Sequence, residues 1–238
     1  MHVAVLILVA AAAEPVPPSA LEGAATFARD SATVLAWPAQ LQLGEGLVLG
    51  GVALGTLAML RHDTHLYGEL GGLHWTMHGR SVFNTTLQAG NGLVDLGVVG
   101  LLALGGNRGQ NAAVAGVQAL GSVAVTSWLL KHIFRVERPN ADPLHKTYFD
   151  EFQDDAFPSG HSMSAFATAT IISSTYPAAA PFAYGVASLV GLSVMKRGWH
   201  WPSDVLAGAA LGVVIGRVSL RVRTRRVALT TNGVAVEI

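Results

Sequence analysis

Phe157-Pro158-Ser159-Gly160-His161 is a polar turn set into a mostly apolar chain. Pro158 has a fixed φ and no amide donor to lose, which suits the start of a helix. Ser159 can cap that helix, and Gly160 lets the backbone approach a ligand with no Cβ in the way. The apolar run from Ala165 to Tyr176 is then the helix itself. Backbone N–H groups converging at such a terminus form an anion site. His161 stands beside it, with a side chain that exchanges protons near neutral pH. An anion cradle next to a histidine points to phosphoryl or sulfuryl chemistry. Taken alone, the turn reads equally well as a capped helix carrying a surface histidine.

Two more clusters supply the rest of what phosphate monoester hydrolysis needs: neutralised equatorial oxygens, an in-line nucleophile and an acid for the leaving oxygen. Lys131 and Arg138 bring fixed positive charge, and arginine can bind two oxygens at once. The backbone donors around Ser159, Gly160 and His161 bring the cradle. His200 and Asp204 pair an imidazole with a carboxylate, the arrangement that fixes a tautomer and stabilises imidazolium. With no cysteine and no evident carboxylate pair for metals, histidine is the best nucleophile on offer. The bland alternatives are that Lys131 and Arg138 are snorkelling interface cations and His200 a satisfied interfacial histidine.

In chain order these residues spell K-x6-R-P (Lys131, Arg138, Pro139), P-S-G-H (Pro158 to His161) and the H-x3-D half of a third motif (His200, Asp204). In this the chain resembles the type 2 phosphatidic acid phosphatase family, the membrane relatives of bacterial acid phosphatases and vanadium haloperoxidases. The resemblance covers Lys131 to Gly212. It departs at one place: the family's third motif reads S-R-x5-H-x3-D, and here Ser193 is followed by Val194. The resemblance implies that His200 attacks phosphorus to give a phosphohistidine that water then hydrolyses. It implies that His161 protonates the departing alcohol, and that no metal or other cofactor is needed. Arg197 lies three residues beyond Val194, on nearly the same helical face and about 4.5 Å further along the axis. It is the candidate replacement for the missing clamp, and Gly198 permits the helix to stop before His200.

The elements that must position these residues follow from composition. Of 238 residues 51% are hydrophobic and only 13% charged, and mean hydropathy is +0.44, a balance that belongs to a membrane bundle. The zero formal net charge gives no reason to expect nucleic acid as a partner. Absence of cysteine excludes a thiolate nucleophile, a zinc-thiolate site and a disulfide framework. Six apolar stretches read as helices: Gly46–Leu60, Gly92–Leu104, Asn111–Phe134, His161–Tyr176, Pro181–Met195 and Pro202–Leu220. Most are near or below the roughly 20 residues of a perpendicular span. Small residues such as Gly50, Gly51, Gly55, Gly208 and Gly212 favour close helix packing. The expected fold is all-α, a compact integral-membrane bundle of about six helices with its active site at one membrane face. Residues 1–13 read as a signal or leader, 14–45 as an interfacial segment, 46–220 as the membrane phosphatase domain and 221–238 as a basic tail.

The arginines from Arg217 to Arg226 should hold the C-terminal end in the cytoplasm. Counting back through the helices brings His200, His161 and Lys131 together on the external face, as for a bacterial inner-membrane protein whose site faces the periplasm. The same count starts the Gly46–Leu60 helix in the cytoplasm, whereas a cleaved signal would start it outside. His62, His65, His74 and His78 read as interfacial-loop residues, not metal ligands. Asn84-Thr85-Thr86 matches a glycosylation sequon. Asp95, in an apolar helix, is either functional or hydrogen-bonded to a neighbouring helix. Trp75, Trp199 and Trp201 suit the membrane–water interface. A phosphate site at the mouth of a membrane bundle favours an amphiphilic substrate: phosphatidic acid, phosphatidylglycerophosphate, polyprenyl pyrophosphate or lipid A phosphate. A reading of a different class is a non-catalytic binder of lipid phosphates.

Overall fold

The computed structural model describes residues 20–71, 86–149 and 155–231, and every regular element among them is helical. In chain order the α-helices are α1 (Ala20–Leu35), α2 (Leu43–Leu60), α3 (Asp63–Gly71), α4 (Gly92–Leu102), α5 (Gly106–Phe134), α6 (Gly160–Thr175), α7 (Ala180–Lys196) and α8 (Pro202–Thr231). Local chemistry sets several boundaries. At the start of α2, Glu45 accepts a hydrogen bond from the Gln42 amide at 2.9 Å, half of a capping box. The Asn91 side chain accepts from Leu93 N at 3.0 Å at the start of α4, and Ser159 caps α6 by accepting from Ser162 N at 3.3 Å. α7 stops where Gly198 takes a φ of 71°, a left-handed turn that glycine adopts without steric cost.

α6 is the central strut. One side packs on α5 and α8 through Ala119, Val123, Met163, Ala167, Val214 and Ile215. Its other side meets α7 through Ala165, Ala169, Ala183 and Val190. The approach of α8 is too close for any side chain at two points. A Cβ on Gly208 would lie 2.5 Å from the Ser159 carbonyl oxygen, and one on Gly212 would lie 2.3 Å from that of Met163. Small residues therefore set the spacing between the two helices that carry the site.

The outer faces are apolar. Leu43 of α2 is 82% exposed and Phe182 of α7 is 77% exposed, an arrangement suited to lipid and not to water. Among the described residues four segments are long and apolar enough to cross a membrane: Leu43–Leu60, Gly92–Phe134, Pro177–Lys196 and Pro202–Arg225. The second contains both α4 and α5, which fold back on each other. The bundle has two distinct ends. At one, Arg221 pairs with Glu45 and donates to the Gln40 carbonyl at 2.8 Å. At the other, the Ser203 amide donates to Asp63 at 3.0 Å. α2 and α8 are thus antiparallel, and α2 starts at the arginine end, as the helix count requires.

All six apolar stretches are helical, with ends shifted by a few residues except at the far end of the last. Two helices were not anticipated. α1 replaces most of the interfacial segment; it is amphipathic, burying Asp30 and Val34, so it has no continuous apolar run to announce it. α3 is short and polar, and its role is local to the site. α8 continues to Thr231, so Arg221 and Arg223 lie on a helix and not in a tail, with Arg223 donating to Asn111 at 2.9 Å. Trp201 is a core residue and not an interfacial one: it is fully buried against Val136 and Ala156, its indole N–H donating to the Glu137 carbonyl at 2.7 Å. Asp95 is buried and accepts a hydrogen bond from Ser164 of α6, the helix-bridging alternative. The leader at 1–13, His74, His78, Trp75 and most of the sequon lie outside the described residues.

Candidate active site

Lys131 sits in the last turn of α5, Arg138 on the segment after it, Gly160 and His161 in the first turn of α6, and His200 just before α8. These positions share one end of the bundle, and all five residues line a single cavity of about 920 Å³. Asp155 and Trp199 complete its polar wall.

His200 is nearly fully buried, and its Nδ1 lies 2.7 Å from the carbonyl oxygen of Ala156. A carbonyl can only accept, so Nδ1 carries the proton and Nε2 keeps its lone pair. Ala156 is itself fixed, its amide donating to the Val136 carbonyl at 2.9 Å. Burial, then the charges of Lys131 and Arg138, push the imidazole well below the ordinary histidine range. It is a neutral base at neutral pH. Asp204 does not make the hydrogen bond expected of it: its Oδ2 stands 3.9 Å from Nδ1. That oxygen accepts from the Trp201 amide at 2.8 Å, and Oδ1 accepts from Lys146 Nζ at 3.0 Å. Asp204 therefore caps α8 and lies behind the ring.

His161 is half-buried, with its ring centroid 5.6 Å from that of Trp199. Burial first, then Lys131 and Arg138, lower its pKa. Lys131 donates to the Asp155 carbonyl and lies 3.8 Å from its carboxylate. Arg138 turns Nε, at 3.0 Å, and Nη2 onto Asp155 Oδ1. A carboxylate of this same chain thus occupies the two cations. Gly160 presses close to α5, where a Cβ would meet Ser127 Oγ at 3.1 Å. Ser159 is not on the cavity wall: it is fully buried, its amide donating to the Asp204 carbonyl at 3.0 Å and its hydroxyl accepting from Ser162. Val194 is fully buried. Arg197 also stays off the cavity wall, with its guanidinium 5.4 Å over the Trp199 ring.

Residues 112–228 match the PAP2 superfamily. Over 127 residues, 53% of this chain and 69% of the relative, the sequence is 31% identical to a decaprenylphosphoryl-5-phosphoribose phosphatase of Mycobacterium tuberculosis. The chain belongs to the PAP2 superfamily. Another relative, a lipid A 1-phosphatase of Porphyromonas gingivalis, is 41% identical over 68 residues; the match spans 27% of this chain but only 15% of that protein. A transmembrane PAP2-type phosphatidylglycerolphosphate phosphatase from Bacillus subtilis superposes with a TM-score of 0.57 at 20% identity, covering 75% of this chain and 94% of the other. Aquifex aeolicus LpxE gives 0.54 at 20% identity, covering 67% and 94%. At that identity the likeness is one of fold.

Within this PAP2 site four groups escaped sequence reasoning: Asp155, the Ala156 carbonyl, Asp63 and Lys146. A backbone carbonyl has no sequence signature. Lys146 meets Asp63 and Asp204 across 83 and 58 positions, and no periodicity links residues that far apart. Asp155 lies two residues before the Phe157 turn, close enough that its contact with the cations could have been asked about.

Proposed function

We propose that this PAP2 protein is a phosphatase that hydrolyses a lipid phosphate monoester, phosphatidic acid-like, through a phosphohistidine at His200. One observation carries the reading: the His200 Nδ1–H is fixed on the Ala156 carbonyl, so Nε2 remains the nucleophile, in the same cavity as Lys131, Arg138 and His161. Lys131 and Arg138 hold the phosphate, and Nε2 forms the N–P bond as the P–O bond to the alcohol breaks. His161 gives the departing oxygen its proton. Burial, then the positive charges of Lys131 and Arg138, lower the His161 pKa; a bound phosphate dianion offsets those charges and favours the imidazolium that the step requires. Neutral His161 then takes a proton from water as water attacks the phosphohistidine, and phosphate leaves. Gly160 supplies a backbone donor at the α6 terminus, while Ser159 acts through the cap and Asp204 through the field behind His200.

A prenyl-linked phosphate, or the phosphate of lipid A, is the second reading of the substrate, favoured by the mycobacterial and P. gingivalis relatives. In either case the protein sits in a bilayer with the arginine end of α8 in the cytoplasm and the cavity facing the exterior. Purified protein in detergent, given ³²P-labelled phosphatidic acid with excess chelator, is expected to release phosphate and to carry acid-labile label when quenched. His200→Ala should do neither. Activity that vanishes with chelator and returns with one divalent cation, or label retained in His200→Ala, overturns the proposal.

A further inference from the structure

Behind His200, away from the cavity, lies a buried ionic cluster of which the proposed chemistry uses only Asp204. Lys146 Nζ donates to Asp63 Oδ2 at 2.8 Å, Ser203 Oγ at 2.8 Å and Asp204 Oδ1 at 3.0 Å. All three ammonium protons are thereby engaged. Ser203 returns two bonds to Asp63, from its amide and its hydroxyl. Lys146 is only 4% exposed, and the Asp63 and Asp204 side chains are not exposed at all. Burying three charges is costly even when they are paired. Apolar residues would fill the space at least as stably, so the cluster needs a reason other than packing.

We infer that Lys146 and Asp63 are positioning residues for His200, setting through Asp204 the charge that the imidazole feels as its nitrogen attacks phosphorus. Two carboxylates and one ammonium leave the cluster with one net negative charge, and its nearest oxygen is 3.9 Å from His200 Nδ1. The ring becomes cationic as the N–P bond forms, and at neutral pH a negative charge behind Nδ1 favours that change. A second negative charge there would hold the ring protonated before substrate arrives, and Lys146 removes it. The other groups facing His200 are Lys131 from α5, Arg138 and Asp155 from the connection to α6, and His161 from α6 itself. Tyr67 of α3 and Tyr148 border the cluster, and the Tyr148 phenol is kept neutral by burial and by Asp63 and Asp204, which raise its pKa.

The inference rests on His200 being the nucleophile, and a charge cycle tests the two separately. The pH profile of kcat/KM on p-nitrophenyl phosphate reports the free enzyme's base, and NMR titration of ¹⁵N-histidine-labelled protein reports His200 without turnover. Asp63→Asn, which neutralises the cluster, should move the acid limb and the His200 titration down by roughly half a pH unit. It should lower kcat about tenfold and leave KM within about threefold, because Asp63 does not line the cavity. Lys146→Met should move both upward. The double variant restores one net negative charge and should return both toward wild type. A brace that only packs predicts unmoved titrations and losses that add, and that result overturns the inference. So does an Asp63→Asn protein that fails to fold. If Lys146→Met alone does not fold, Asp63→Asn against the double variant decides. A His200→Ala protein with wild-type activity would instead sink the phosphohistidine reading, while the NMR cycle still judges the cluster.

Discussion

Two lysine–aspartate clusters meet at His200, built from the same groups and differing in exposure. In the cavity, Lys131 and Asp155 are 16% and 50% exposed. Behind the ring, Lys146 and Asp204 are 4% and 0% exposed. A half-exposed carboxylate is screened and easily replaced by another anion. A fully buried one is locked, because losing its partner would strand a charge in the interior. Exposure, and not residue type, separates a seat that substrate can take over from a fixed field. The cavity cluster should therefore respond to substitution through substrate affinity and rate together, and the buried cluster through titration.

The largest effect that sharpens this contrast belongs to the clamp. Arg138→Ala removes a fork able to bind two phosphate oxygens, and kcat/KM should fall by about 10²–10³-fold. Arg138 is also one of the charges lowering the His200 pKa. Removing it raises the pKa of the base, so the acid limb of the profile should move to higher pH. A limb that stays put would mean that the cavity charges do not reach the nucleophile.

Next comes His161. If it is the acid, His161→Ala should slow release of a lipid alcohol by about 10²-fold. A nitrophenolate leaves without a proton, and its release should suffer far less. Equal losses on both substrates would remove His161 from that role and leave the cavity with cations alone.

The same contrast explains what the sequence made legible. The apolar runs foretold α2 and α4 to α8, because a span must be apolar along its length. α1 was hidden because only one of its faces is buried, with Asp30 on it. Lys131 and His161 stand at helix ends, with Arg138 and His200 on the connections just outside them, where motif spacing and helix count both locate them. The buried cluster instead draws on α3, a loop and α8, which meet only in the folded bundle. The expected His200–Asp204 contact followed from an i, i+4 spacing; in the structure a backbone carbonyl takes that place.

Arg197 is a smaller test. Its guanidinium rests on Trp199, which in turn neighbours His161, so it supports the cavity wall from behind. Loss of a stacking contact of about 1–2 kcal/mol corresponds to roughly 5–30-fold, less than loss of a phosphate ligand. Arg197→Ala should fall in that range, and Val194→Arg should not restore it, because Val194 is fully buried. A loss beyond about a hundredfold would place the guanidinium on the phosphate during turnover, as the residue that covers for Val194.

The smallest expected effect is a gain. Asp155 pairs with both cations, so an incoming phosphate must displace its carboxylate. Burial raises the Asp155 pKa, but Lys131 and Arg138 outweigh it and hold the carboxyl below its ordinary range. It is therefore ionised at neutral pH and competes with phosphate throughout the usual assay range. Asp155→Asn removes that charge and should tighten inhibition by inorganic phosphate by about threefold, in keeping with a half-exposed pair of about 0.5–1 kcal/mol. The gain should be present at neutral pH and shrink as pH falls through the Asp155 pKa, where the wild-type carboxyl is itself neutral. If Asp155→Asn instead weakens phosphate binding at every pH, the carboxylate is not a competitor. It would then hold Lys131 and Arg138 in place, and the cavity cluster would be as fixed as the buried one.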